Sequence, residues 1–302
     1  MNELYKALLY CGAFCFVLLF FLNWVGEGSD FDFHYAKAQG KDVCYPIYGF
    51  GQCDAYPPAF HVLASPFAGS EWTFKAFIVF LLGFIIPFLL FLIARKAIVV
   101  LLYYSTSFFY MFVSGTYPNA LMLAVFLLFF IDYGKFKFFA WFAWLGLVYL
   151  APSIHSWALP LFTFVFLYKT VAWVKEKNPL LSCSPFWGKT PTQLEQPLPW
   201  FDAGNSAQSL TLNNLGSFLL KGCPFPYLWF GLKKIWLEKN WLKILLIGGA
   251  TATALVNYRT LFIIPLLVLP EIVDLKYWWF KPIVCILIVF QFYQFITLNL
   301  WC

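Results

Sequence analysis

Acidic and histidine side chains gather in the stretch of sequence that separates the first apolar segment from the second. Asp30, Asp32 and His34 alternate there with phenylalanines, and His61 follows Tyr56-Pro57-Pro58 further along the chain. Ionisable side chains beside a membrane segment are expected to be solvated, paired or engaged in chemistry, because hydrocarbon solvates charge poorly. We therefore expect the functional site to include these residues.

Asp30 has two interpretations at the level of sequence. A helix that begins near Asp30 would place Asp30 and His34 one turn apart on one face, with Asp32 turned away. Asp30 could simply start this helix, since an acidic residue at a helix N-terminus is stabilised by the helix dipole. Alternatively, its carboxylate could act as a general base or orient a substrate, because partial desolvation at a membrane edge tunes proton affinity.

The three histidines of the chain are candidates for contact with a substrate or with a divalent cation such as Mg²⁺ or Mn²⁺. Tyr56-Pro57-Pro58 predicts a stiff, extended turn that directs His61 into the start of the next helix. His34 precedes this turn, and His155 lies in a later one. Imidazoles and carboxylates suffice to bind a metal, but the spacing here matches no compact metal motif. A hydrogen-bonded packing role for each histidine is the alternative.

The composition indicates an integral membrane protein. The chain has 302 residues, of which 62% are hydrophobic and 11% charged, and its mean hydropathy is +0.75. Soluble domains contain roughly 25% charged residues. The net charge of +6 does not indicate a nucleic-acid partner, because lysine and arginine lie mainly at the ends of apolar segments, where they report topology. The bilayer is therefore the expected surrounding.

The apolar segments predict an all-α, polytopic transmembrane helical bundle with about nine spans. The first segment lacks a signal-peptide cleavage site, so we expect it to remain as a span. Several segments are shorter than the roughly 20 residues that cross the hydrocarbon core. The predicted spans are residues 4–25, 77–93, 97–113, 117–131, 138–150, 157–174, 241–256, 261–272 and 282–300.

Basic residues recur in every second loop between the predicted spans, which assigns those loops to the cytoplasmic side. The intervening turns carry one basic residue, Arg259, and they lie outside together with the long first loop, residues 26–75, in which we expect short helices. The basic residues are Arg95, Lys96, Lys135, Lys137, Lys169, Lys175, Lys177, Lys233, Lys234, Lys239, Lys243, Lys276 and Lys281.

The segment 178–232 is the least readable part of the chain. Prolines, glycines and asparagines interrupt its apolar pattern, which favours interfacial or re-entrant helices over a further span. The sequence contains no tandem repeat and no polar stretch long enough for a soluble domain. We therefore interpret residues 1–302 as a single domain.

The cysteines do not form one framework. Cys44 and Cys53 lie in the first outer loop, where an oxidising exterior would permit a disulfide between them. Cys11, Cys15 and Cys285 lie in apolar segments and are expected to be packing residues. The sequence also contains no phosphate-binding P-loop, no dinucleotide fingerprint and no serine-esterase elbow, which disfavours nucleotide hydrolysis and esterase chemistry.

The first loop resembles that of a known enzyme superfamily. An apolar span, then Ser-Asp-Phe-Asp-Phe-His from Ser29, then Tyr-Pro-Pro-Ala-Phe-His from Tyr56, is similar to the first outer loop of the GT-C superfamily of polytopic glycosyltransferases. These enzymes use polyprenyl-phosphate-linked sugars and include oligosaccharyltransferase subunits and mannosyltransferases. Residues 115–121 resemble the turn before the family's fourth span, and Asn257-Tyr258-Arg259 resembles its late membrane-edge arginine.

The resemblance implies a multi-pass enzyme that moves a sugar from a polyprenyl (dolichyl-like) phosphate to an unidentified acceptor. It implies that the site lies on the outer face of a cell membrane, or on the lumenal face of the endoplasmic reticulum. The family's catalytic acidic residue corresponds to Asp30, with Asp32 as the competing choice, and Arg259 would neutralise the departing phosphate. The expected substrate-binding residues are His34, Tyr56, His61, His155 and Arg259.

Two rival interpretations are open. A non-catalytic membrane scaffold would have the same hydropathy, but it gives no reason for an acidic first loop and an arginine turn to converge. The other rival is a transporter or flippase of lipid-linked or small solutes. Such a protein would also place acidic side chains in a cavity. We would expect its ionisable residues at mid-span, close to broken helices, and an internal repeat. In this sequence the informative groups lie at one membrane edge instead, which favours the transferase.

Overall fold

The computed structural model describes residues 2–22, 29–41, 43, 57–106, 117–155, 158–177, 225–253, 261, 263–274 and 280–299. Every regular element within these ranges is helical, which confirms the all-α class. The helices in chain order are α1 (Glu3–Phe20), α2 (Ser29–Ala38), α3 (Ala59–Ala64), α4 (Glu71–Ala94), α5 (Ile98–Tyr104), α6 (Tyr117–Leu128), α7 (Lys137–Ile154), α8 (Ala158–Lys177), α9 (Phe225–Leu237), α10 (Trp241–Thr253), α11 (Ile263–Val268) and α12 (Phe280–Asn299).

Three of the described helical stretches are long and apolar enough to cross a membrane, namely Glu3–Phe20, Glu71–Ala94 and Gly134–Ile154. They support membrane association of the chain. Other apolar helices are shorter, and the 12 residues of α6 extend only about 18 Å. Each predicted span contains a helix, but the total of about nine crossings stays a prediction, because a crossing of the hydrocarbon core needs about 20 residues.

The start of α1 lies against the turn that follows α4. The side chain of Asn2 caps α1 by accepting a hydrogen bond from the Leu4 amide at 3.2 Å. Glu3 then accepts one from the Ala97 amide at 2.8 Å and pairs with Lys6 at 2.7 Å. Since α1 and α4 pack together, these contacts make them antiparallel. The turn at Arg95 thus shares one end of the bundle with the start of α1, whereas α2 and α3 lie at the other end, beside the start of α4.

A proline explains an irregular turn in the middle of α4. The residues Leu81–Ile85 form a wider π-helical turn, and Pro87 follows it. Proline has no amide hydrogen, so Pro87 cannot donate to the carbonyl of Gly83, four residues earlier. The hydroxyl of Tyr104 donates to that carbonyl instead, at 2.6 Å. The same glycine lets α1 approach closely, since a Cβ atom there would lie 3.0 Å from Cys15 Sγ.

The helices α9, α10 and α11 pack together beside the far end of α4. Pro226 lies in the first turn of α9, where a missing amide hydrogen breaks no helical hydrogen bond. Gly231 faces α11 so closely that a Cβ atom would overlap the side chain of Val268. Residues 178–224 lie outside the described residues, and an interfacial or re-entrant placement of this part of the chain stays a prediction.

Candidate functional site

Helix α2 begins at Ser29, close to the position that the sequence predicts. Phe31, Phe33 and His34 are buried, whereas Asp32 is exposed, so this short helix presents one face to the rest of the protein. Asp30 belongs to its first turn, one turn before His34. The side chain of Asp30 lies outside the described part of the structure. The helical register expected for Asp30, Asp32 and His34 is therefore the observed one.

Helix α3 follows Pro57 and Pro58 and brings His61 onto α2. Phe60, His61 and Ala64 form its buried face, which agrees with the prediction that the prolines direct His61 into a helix. Besides α2, this helix contacts α6 and α7. A further hydrogen bond, from the side-chain amide of Gln39 to the carbonyl of Ala68 at 3.1 Å, ties the two helical segments together.

His34 and His61 form a direct hydrogen bond at the contact of α2 with α3. Nδ1 of His34 lies 3.0 Å from Nε2 of His61, and the ring centroids are 5.2 Å apart. The two residues are only 2% and 7% exposed. A buried polar group is costly unless it is hydrogen-bonded, so this bond holds the two short helices in one arrangement.

Aromatic rings surround the histidine pair. The ring of Tyr117, at the start of α6, stacks on Phe60 with centroids 6.0 Å apart and contacts His34 edge-on at 5.6 Å. Phe33 contacts His61 edge-on at 6.3 Å. Because these rings come from α2, α3 and α6, the pair lies where the first loop meets Tyr117, one of the residues 115–121 that the sequence singled out.

Burial lowers the pKa of both histidines. It holds the pKa of His34 well below its ordinary value of 6.5, and the neighbouring His61 acts in the same direction. The pKa of His61 falls to about 4, chiefly through burial and secondly through the charge of Lys37, while a hydrogen bond with Pro57 opposes the fall. Both imidazoles are therefore neutral at pH 7, so each ring carries one proton and one lone pair.

Lys75, which the sequence interpretation missed, contacts the same part of α2. Its ammonium lies 5.1 Å from the ring centroid of Phe31 and pairs with Glu71 at 2.7 Å. The lysine is 8% exposed. The only available sequence signal was the spacing of Glu71 and Lys75, four residues apart on the first turns of a helix, which favours an ion pair there.

The structure brings His34 and His61 into contact, and it describes the backbone of His155. His155 follows the last residue of α7, the helix on which α3 packs, and its amide donates to the carbonyl of Ala151 at 3.1 Å. Tyr56 and Arg259 lie outside the described residues. The expected convergence of Asp30 with Arg259 therefore stays a prediction.

The described residues contain no group of three or more histidine, cysteine, aspartate or glutamate side chains that could hold a metal ion. This applies to His34, His61 and His155 as a set. Mg²⁺ and Mn²⁺ prefer oxygen ligands, and the histidine pair offers only nitrogen. The pair alone therefore does not fit the divalent cation considered from the sequence.

Cys11, Cys15 and Cys285 carry free thiols. Cys11 is fully buried in the helical core, as expected of a packing residue, and Cys285 is exposed on α12. Cys44 and Cys53 lie outside the described residues, so their disulfide stays a prediction.

A second polar cluster, also missed from the sequence, lies between α9, α10 and α11, and Lys243 is its buried member. Lys243 forms an ion pair with Glu271 and donates to the carbonyl of Leu267 at 3.3 Å. Lys234 extends the cluster with nitrogen–oxygen distances of 3.7 Å to Glu271 and 4.0 Å to Asp274. The segment Leu269–Glu271 packs on the second half of α4, so this cluster and the histidine pair lie at opposite ends of that helix.

No protein-family model, curated protein or solved structure matches the chain.

Proposed function

We propose that this protein is a polytopic membrane glycosyltransferase of the GT-C type. It moves a sugar from a polyprenyl-phosphate donor to an acceptor hydroxyl at the outer or lumenal face of the membrane, and about nine helices cross the bilayer. The cytoplasmic face then holds the turn at Arg95 and the cluster around Lys243.

One observation carries the proposal. The loop that resembles the GT-C first outer loop forms two short helices, α2 and α3, locked together at one end of the helical bundle by the His34–His61 bond. A rigid support of this kind suits a catalytic carboxylate, because a reacting group must be held in a fixed position relative to its substrate. Asp30 occupies the first turn of α2, and Asp32 is exposed on the same helix.

In the proposed reaction, the acceptor oxygen forms a bond to the anomeric carbon of the sugar. The bond from that carbon to the phosphate oxygen breaks, and its electron pair leaves with the lipid phosphate. The carboxylate of Asp30 accepts the hydroxyl proton, with inversion at the anomeric carbon, and Arg259 neutralises the departing phosphate. Asp32 is the alternative base.

The test is sugar transfer by the purified protein in liposomes that contain polyprenyl-phosphate-linked sugars, with short-chain alcohols and hydroxyl-bearing peptides as acceptors. We expect the Asp30→Asn variant to lose roughly a hundredfold or more in rate, as expected on removal of a general base, while donor binding is retained. Asp32→Asn is the matched comparison on the same helix. A parental rate in both variants would contradict the assignment of Asp30 or Asp32 as the general base. A parental protein that transfers no sugar would contradict the proposed function.

A transporter or flippase is the second candidate, and one observation favours it. The ion pair of Lys243 with Glu271 is buried beside α11, a helix of six residues that a turn containing Pro270 follows. Buried charges beside interrupted helices are typical of transport pathways. Translocation of a labelled polyprenyl-phosphate lipid across liposomes, abolished in a Glu271→Gln variant and independent of Asp30, would favour this function.

A further inference from the structure

Helix α9 turns one face toward the protein and the opposite face outward. Its buried positions, which pack on α11 and on the segment Leu269–Glu271, are Tyr227, Leu228, Gly231 and Ile235. Its outward positions recur at intervals of three and four residues, so they share one side of the helix. They hold large apolar side chains with one lysine among them, namely Trp229, Leu232, Lys233, Trp236 and Leu237.

A tight turn ends α9 and leads into α10. Lys239 has a left-handed backbone, with φ at 51°, and its amide donates to the carbonyl of Trp236 at 3.1 Å. The amide of Asn240 donates to the carbonyl of Ile235 at 3.1 Å. These two bonds form a Schellman motif, which satisfies the last carbonyls of α9. The side chain of Asn240 then accepts a hydrogen bond from the Lys243 amide at 3.3 Å, so α10 begins directly beside the end of α9.

Both ends of α9 lie beside the first residues of an apolar helix. The ring centroid of Tyr227, in its first turn, is 6.0 Å from that of Phe280, where α12 begins. The turn after α9 leads into Trp241, the first residue of α10. Lysines accompany both helix starts, and the recurrence of basic residues assigns both to the predicted cytoplasmic side. Helix α9 therefore extends along that edge of the helical bundle.

The outward side of α9 carries positive charge that the protein itself does not neutralise. Three carboxylates near the end of the helix all lie within 4.0 Å of the Lys234 ammonium, namely those of Glu238, Glu271 and Asp274. Lys233 and Lys239 are exposed, and neither forms an ion pair with another residue in the described part of the chain. Two ammonium groups are therefore open to a negatively charged partner.

Neither water nor hydrocarbon suits this face of α9. Trp236 is 65% exposed and Trp241 is 54% exposed, and exposed apolar surface of this size is unfavourable in water. Lys233 lies between Trp229 and Trp236 on the same side of the helix, and an ammonium is unfavourable within hydrocarbon. The headgroup layer of a bilayer accommodates both, because indole rings and lysine side chains concentrate where the acyl chains meet the phosphates.

We propose that the outward face of α9, with Lys239 and Trp241 at its end, binds the headgroups of anionic phospholipids in the cytoplasmic leaflet. The indole rings lie at the level of the headgroups, and the ammonium groups of Lys233 and Lys239 contact the lipid phosphates. A zwitterionic lipid carries its own cation, so it attracts these lysines less. The proposal does not depend on the proposed glycosyl transfer, because the candidate residues for that reaction lie elsewhere in the chain.

The test is quenching of tryptophan fluorescence by brominated lipids, with the full chain in bilayers. Bromine atoms on the acyl chain close to the headgroup quench indoles at that depth. The difference between the parental protein and Trp236→Phe isolates the signal of Trp236 among the 14 tryptophans of the chain. Phosphatidylcholine bilayers that contain brominated phosphatidylcholine or brominated phosphatidylglycerol then give the relative affinity of the two lipids beside Trp236.

We expect both lipids to quench Trp236, with a preference for phosphatidylglycerol of roughly fivefold for each lysine at low salt. Lys233→Gln and Lys239→Asn should each remove that factor, and asparagine tolerates the left-handed backbone at the second position. High salt should weaken the parental preference, since exposed charges are screened. Lys41→Gln, at an exposed lysine that follows α2, is the matched control and should keep the parental preference.

Three results would overturn the proposal. Absence of quenching at Trp236 would show that water or another protein covers this face of α9. Equal quenching by the two lipids would show that the lysines do not select anionic headgroups. A parental preference in the double variant Lys233→Gln/Lys239→Asn would place the source of selectivity elsewhere in the protein. The salt dependence is measured without altering either lysine, so it tests the contribution of charge even where a lysine variant unfolds.

Discussion

The two ends of α4 hold buried polar pairs of opposite character. The His34–His61 pair lies beside its start and consists of two neutral rings within an aromatic surround. The Lys243–Glu271 pair lies beside its far end and joins a cation to an anion. Both pairs connect segments that are distant in sequence, and both are largely shielded from solvent.

The two pairs differ in how the free-energy cost of removing polar groups from water is offset. A neutral hydrogen-bonded pair avoids the desolvation of charge but remains sensitive to protonation, since an added proton brings a charge into an apolar site. An ion pair has already lost its hydration, so each partner depends on the other. We therefore expect the histidine pair to respond to pH and the Lys243–Glu271 pair to respond to the removal of one partner.

The largest expected effect follows from the removal of one partner of the Lys243–Glu271 ion pair. Lys243→Met leaves Glu271 buried without its closest cation, and we expect a loss of about 3–5 kcal/mol in the free energy of unfolding. Lys233→Met, at an exposed lysine of α9, is the matched control and should change little. The measurement is denaturant unfolding in detergent micelles. The double variant Lys243→Met/Glu271→Met removes both charges, so it should recover most of the lost stability. Equal stability of Lys243→Met and Lys233→Met would contradict the expected dependence of Glu271 on Lys243.

The second effect is a loss of stability in acid. The folded pKa of His61 is about 4 and its ordinary value is 6.5, so between these pH values the unfolded chain binds more protons than the folded one. Protonation of His61 therefore leaves the free energy of unfolding unchanged above about pH 6.5. As the pH falls toward 4, the free energy of unfolding decreases by about 3 kcal/mol in total.

This pH effect is measured as the difference between parental protein and His61→Gln. Carboxylates titrate in both proteins, so only the difference reports the histidine. We expect the two unfolding free energies to converge as the pH falls from 7 to 4, since glutamine does not titrate. Parallel pH profiles would show that the ring is not shielded from protonation in the folded protein.

The third effect tests how closely α9 packs on α11, the two helices beside Lys243. A Cβ atom at Gly231 would overlap Val268 of α11, so Gly231→Ala should cost about 1–3 kcal/mol through strain. Gly248→Ala in α10 is the matched control, because no atom lies within 4 Å of a Cβ there. The control should gain up to about 1 kcal/mol from helix propensity. Thermal unfolding of both variants gives the comparison, and equal shifts would contradict the close approach of α9 and α11.

The smallest effect lies midway along α4, between the two pairs. Tyr104→Phe removes the hydroxyl that satisfies the carbonyl of Gly83, and we expect a loss of about 1 kcal/mol. Tyr149→Phe, at a residue that is 84% exposed, should leave the stability unchanged. If Tyr104→Phe and Tyr149→Phe have the same melting temperature, a group other than the Tyr104 hydroxyl satisfies the carbonyl of Gly83.

Short-range features of the site could be predicted from the sequence. The start of α2 and the placement of His34 and Asp32 on different faces of it follow from helical spacing, because side chains four residues apart share a face. That the face of His34 is the buried one was not predicted. The entry of His61 into a helix followed from the stiffness of the two prolines. Lys75 was missed, because its significance depends on Phe31, which belongs to a different helix.

The order of apolar and polar residues by itself determined that this chain is helical and has helices long enough to enter a membrane, since composition and periodicity are local properties. The pairing of His34 with His61, 27 residues away, and of Lys243 with Glu271, 28 residues away, was decided by the tertiary structure. Helical periodicity relates neighbours along one turn. Only the packing of separate helices determines which distant side chains meet and which of them lose contact with water.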